Sequence, residues 1–129
     1  MRKRVGAAII AVLSVGGLLL GTGPAQAASQ DIPTFYVGDG YIGGSAEFIS
    51  LGDKLVVCDQ KNGDGYGAYA ELSNANTGEV LEWVYDGVPD GVCQSTAKDL
   101  YEETPVHIDL CLRRNNDSVI CIWSATGRV

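Results

Sequence analysis

Residues 60–71 carry the chain's nearest approach to a metal-binding pattern. Counted from Gln60, Asn62 stands at position 3, Asp64 at 5, Gly65 at 6 and Glu71 at 12. Oxygen donors at this spacing, with a glycine at the sharp turn, are what a helix-flanked calcium loop uses. Here position 1 is a glutamine where the pattern wants a carboxylate, and both flanks alternate as strands. A reverse turn explains Asn-Gly-Asp-Gly without any ion. The stretch reads as a turn, with no metal and no cofactor expected. A calcium-stabilised module using Asn62, Asp64 and Glu71 is the alternative.

Catalytic sets are equally sparse. The chain has one histidine, His107, and a nucleophile–base–orienter set could draw only on Ser124, His107 and Asp109. The strand parity that turns Ile122 inward sends Ser124 to the face opposite His107, so the two do not meet. Glu102 and Glu103 could form a carboxylate pair, but sequence neighbours point apart, and a short chain has little room for a substrate cleft. No enzyme is expected.

The four cysteines, Cys58, Cys93, Cys111 and Cys121, allow three pairings. Residues 105–126 narrow the choice. Val106, Ile108, Leu110 and Leu112 alternate with His107, Asp109, Cys111 and Arg113, the period of a half-buried strand. Asn115-Asn116-Asp117 can reverse the chain, after which Ile120 and Ile122 continue one face while Val119, Cys121 and Trp123 continue the other. A turn centred on Asn116 sets Cys111 directly opposite Cys121, within reach of a disulfide, and leaves Cys58 for Cys93. Zinc is the poorer use of these thiols, because paired C-x-x-C spacing is missing.

Further strands are expected at 35–37, 41–51, 54–59, 66–73 and 79–85, with a flexible lead-in over 28–33 and a loop over 86–99. The pair Gly43-Gly44 weakens the second of these. No helical period of ten residues follows residue 27. Short strands between turn residues point to an all-β fold: a small antiparallel β-sandwich or open barrel stapled by two disulfides. Leu81, Trp83 and Tyr85 share one face and are expected in the core. The face bearing Trp123 and Asp109 is expected to be covered by a second sheet. If uncovered, it presents a tryptophan-centred patch. The expected partner contacts are Trp123 and Asp109 from this face, with Tyr66 and Tyr69, which fall near loops or strand ends.

The first residues bear on compartment. Arg2-Lys3-Arg4, an apolar run over 5–20 and Ala25-Gln26-Ala27 have the layout of a secretory signal peptide spanning 1–27. Taking 27 from 129 leaves 102 residues, one domain over 28–129. Three of the nine Lys/Arg lie in the leader, so six face 16 Asp/Glu, a formal charge of −10. Such a field argues against nucleic-acid and membrane partners and suits a cationic extracellular protein.

With these residues assembled, the chain resembles the small secreted two-disulfide β-domains of filamentous actinobacteria. The residues that carry this are the Arg-Lys-Arg and Ala-Gln-Ala leader, Gly52-Asp53-Lys54-Leu55-Val56-Val57-Cys58-Asp59, Asp64-Gly65 before Ala68-Tyr69-Ala70, and the pair Cys111 and Cys121. The resemblance implies an extracellular protein of a group whose members include protease inhibitors and adaptors in antibacterial toxin-type complexes. As an inhibitor, the alternative reading, the chain would use residues 86–94, tethered by Cys93, as its loop. The expected function is a non-enzymatic, secreted protein-interaction module.

Overall fold

The computed structural model describes residues 28–38, 40, 42–61 and 63–129, so the proposed leader over 1–27 lies outside the described residues. Among the described residues, nine strands follow in order: β1 (Ile32–Val37), β2 (Gly44–Ile49), β3 (Lys54–Asp59), β4 (Gly67–Asn74), β5 (Val80–Asp86), β6 (Gln94–Ala97), β7 (Pro105–Arg114), β8 (Asp117–Trp123) and β9 (Gly127–Arg128). They form two antiparallel sheets, β1-β2-β3-β6 and β5-β4-β7-β8, with β9 added to the start of β7. Of the two architectures expected, the sandwich is the one formed.

The core lies between the sheets, built by the alternation within each strand. Phe48, Leu55 and Val57 from one sheet meet Ala70, Leu72, Ile108 and Leu110 from the other, all fully buried. Gly44, a weak strand residue by propensity, is placed where a Cβ would come within 2.9 Å of the Ala68 side chain. Its missing side chain lets β2 approach β4 across the core.

Both disulfides join neighbouring antiparallel strands on the outer faces of their sheets, and neither crosses the core. Cys58–Cys93 extends the β3–β6 ladder by one step past the Val57–Gln94 pair. Cys111–Cys121 staples β7 to β8. Such bridges are typical of proteins in oxidising compartments.

The β7–β8 hairpin reaches the expected cysteine pairing by a different route. The reversal is a two-residue turn in which Asn115 and Asn116 both adopt positive φ, 52° and 68°. Arg114 therefore pairs with Asp117, and a bulge between Leu112 and Arg113 then moves the register by one residue, setting Cys111 against Cys121.

Three expectations need correcting. Residues 28–33 are tied down, since Gln30 exchanges backbone hydrogen bonds with Arg128 and Ile32 is buried. The stretch read as a loop over 86–99 contains β6, held to β3 by ladder bonds next to the Cys58–Cys93 bridge. Leu81, Trp83 and Tyr85 do share a face, but it is the outer one. Val80 pairs with Ser73 and Glu82 with Leu72, so Leu81 is the extra residue of a bulge. Beyond it every side chain is reversed, turning Glu82, Val84 and Asp86 inward and Trp83 and Tyr85 outward.

Candidate functional site

The two bulges compose the outer face of the five-stranded sheet. Trp83 of β5 pairs with Glu71 of β4, Glu71 with Asp109 of β7, and Asp109 with Trp123 of β8. These four residues form one row across four strands, with a tryptophan at each end and two carboxylates between. Trp83 is 60% exposed and Trp123 75% exposed. The second sheet packs on the other side, so the expectation that Trp123 is covered does not hold.

Each indole is propped by a neighbour in an adjacent row. Trp83 leans on Tyr69, with ring centroids 6.0 Å apart, and Trp123 on His107, at 5.8 Å. Tyr69 is in turn roofed by Arg113, whose guanidinium carbon lies 3.3 Å from the ring centroid while its Nε donates to the Ser118 hydroxyl. The Tyr69 hydroxyl donates to Glu71 Oε1. Burial, then that hydrogen bond, pushes the phenol up to about 12. Tyr69 is only 8% exposed, so it supports the row from beneath the surface.

The carboxylates sit in an unfavourable arrangement. Like charges directly opposite on neighbouring strands repel. Asp109 Oδ1 is buried and has no hydrogen-bond partner among the described residues. Burial raises the Asp109 pKa, the charge of His107 opposes the rise, and Glu71 adds to it.

Of the four residues expected to contact a partner, the fold brings Trp123, Asp109 and Tyr69 to this face. Tyr66 lies at the end of the sheet, beneath the guanidinium of Arg114 at 4.1 Å and outside the row. Sequence reasoning missed Trp83 and Glu71, the first because of the Leu81 bulge, the second because it had been set against a calcium pattern. The residues of that pattern diverge in the fold. The Asp64 carboxylate accepts the Tyr66 N–H at 2.9 Å, forming a local turn, whereas Glu71 lies in the row and Asn62 is outside the described residues. The hydroxyl of Ser124 accepts the Ile108 N–H at 2.8 Å and donates to the Ala125 carbonyl, and His107 is packed against Trp123.

No family model and no curated relative matches the sequence. The fold is similar to part of the crystal structure of an endonuclease/exonuclease/phosphatase from Beutenbergia cavernae DSM 12333. The identity is 22% and the TM-score 0.53, over 83% of this chain and 28% of that one. The likeness is one of fold, and this chain corresponds to under a third of that protein.

Proposed function

We propose that the chain is a secreted, non-enzymatic module that binds another extracellular protein through the outer face of the five-stranded sheet, as an adaptor in a larger assembly. The observation that carries this reading is the pair of exposed tryptophans, Trp83 and Trp123, at the two ends of one row on a disulfide-braced sheet. Large aromatic side chains left uncovered on a rigid surface are the usual anchors of a protein interface. The bracing supports binding without a large ordering cost, because the strands carrying the row are already fixed. The leader-like residues 1–27 and the two disulfides support an extracellular location.

The test is capture of partners from the source organism's culture supernatant with residues 28–129 under non-reducing conditions, followed by mass spectrometry. The wild type is expected to retain a stoichiometric protein that the Trp83→Ala/Trp123→Ala variant loses. Equal recovery by both would refute the assignment of this face.

One observation favours protease inhibition as a second reading. Val88 and Val92 are both exposed in the 86–94 loop, which Cys93 tethers to Cys58. This reading expects stoichiometric inhibition of a co-secreted protease, and failure against a broad protease panel would remove it.

A further inference from the structure

We infer that the row Trp83–Glu71–Asp109–Trp123 seats an arginine side chain of the partner protein. The inference rests on the interaction reading above and specifies its chemistry. Four adjacent strands spaced about 4.8 Å apart put the two tryptophan Cα atoms about 14 Å from each other. Trp83 leans toward the Tyr69 row and Trp123 toward the His107 row, so the indoles are displaced in opposite directions along the strands. The carboxylates of Glu71 and Asp109 lie between them.

The free protein compensates this charge poorly. Glu71 receives the Tyr69 hydroxyl, while Asp109 Oδ1 is buried with no hydrogen-bond partner among the described residues. Among the described residues, Arg113 lies over the Tyr69 ring and is bonded to Ser118, while His107, packed against Trp123, offsets the Asp109 charge in part without hydrogen-bonding its Oδ1. The two opposed carboxylates, with an exposed tryptophan one strand away on either side, therefore form a seat whose charge is completed from outside. A guanidinium suits it better than an ammonium, since its planar fork can bond both carboxylates while one face lies along a single flanking indole. The formal charge of −7 on the whole chain acts in the same sense, drawing a cationic partner to it.

The test uses three acetylated, amidated tripeptides, Gly-Arg-Gly, Gly-Lys-Gly and Gly-Gln-Gly, titrated against residues 28–129 while tryptophan fluorescence and backbone amide shifts are followed. The arginine peptide is expected to give a saturable response that maps to β4, β7 and β8, and to bind several-fold more tightly than the lysine peptide. The glutamine peptide is expected to give none. Glu71→Gln/Asp109→Asn, its fold checked by circular dichroism, is expected to weaken the arginine response at least tenfold. An unchanged response in that variant, equal responses to arginine and lysine, or no saturable arginine response would each overturn the seat. So would a response to 1 mM calcium alone that the same variant abolishes, because it would assign the carboxylates to a metal.

Partner capture separates this inference from the broader reading. A partner lost by Trp83→Ala/Trp123→Ala but kept by Glu71→Gln/Asp109→Asn overturns the seat and leaves the interaction face standing. A partner kept by both variants overturns both.

Discussion

Glu82 gives the sharpest test of the reversal in β5. It is 1% exposed, and among the described residues its carboxylate oxygens make no well-formed hydrogen bond, a weak contact from the Leu55 backbone aside. Burial lifts its pKa from 4.5 to about 7; the charge of Lys98 opposes the rise and that of Asp53 adds to it. A carboxyl whose pKa is raised by folding favours the folded state while protonated. Its contribution is fully present below the unfolded value of 4.5 and is lost as the pH rises through about 7. At about 1.4 kcal/mol for each tenfold change in proton affinity, the displacement from 4.5 to about 7 is worth about 3 kcal/mol. Glu82→Gln keeps the shape and removes the titration. The assay is urea unfolding of both proteins, disulfides intact, from pH 4.5 to 8.5. The stabilities are expected to differ little at the acid end, with the variant gaining to about 3 kcal/mol at the alkaline end. For a domain of this size that corresponds to a Tm difference of about 10–20 °C. Burial also raises Asp59 and Asp109, but both proteins share those groups, so the difference between them isolates Glu82. A difference that stays constant with pH would refute the reasoning and place Glu82 in water.

Three further outcomes follow from particular contacts. Replacing Cys58 and Cys93 by serine opens a loop of sequence separation 35, and replacing Cys111 and Cys121 opens one of 10. In the chain-entropy model the first change costs about 4 kcal/mol and the second about 3 kcal/mol, an order that denaturant midpoints will check. Gly127→Ala places a Cβ 2.8 Å from the Gln30 carbonyl oxygen and 2.6 Å from the Ile32 side chain, and is expected to destabilise by roughly 1–3 kcal/mol. Faster amide exchange at Gln30 and Arg128 is its local signature. Asn116→Val forces a β-branched residue to φ 68° and is expected to cost about 1–2 kcal/mol in thermal unfolding, while Asn116→Gly stays close to the wild type.

What could be read from the sequence was what is local. The β7–β8 hairpin has a regular alternation, and its turn residues tolerate positive φ, so its faces and its disulfide were visible. The opposition of Asp109 and Trp123 followed from the same parity. The strand at 94–97 has no such signal: Gln-Ser-Thr-Ala does not alternate, and the strand forms by pairing with β3, some 40 residues earlier in the chain. The outer face failed for a subtler reason. Both faces of β5 carry apolar residues, and without a bulge the 74–78 turn would pair Leu81 with Leu72 and bury Trp83. One additional residue in the ladder reverses that choice, and no residue type at Leu81 marks it. The bulged hairpin thus exposes the tryptophan and buries a carboxylate, an exchange that propensity and pattern both oppose.

The bridge between Gln30 and Arg128 bears on how such a fold can be carried by other proteins. With these two residues exchanging backbone hydrogen bonds of 2.8 and 2.9 Å, the polypeptide leaves the sandwich beside the point where it came in. A host chain could therefore detour through the whole domain and resume its course almost where it broke off, with no scaffold stretched to accommodate the guest. Grafted into a surface loop, the sandwich would hang as a side branch from a narrow double stem, its tryptophan row travelling with it.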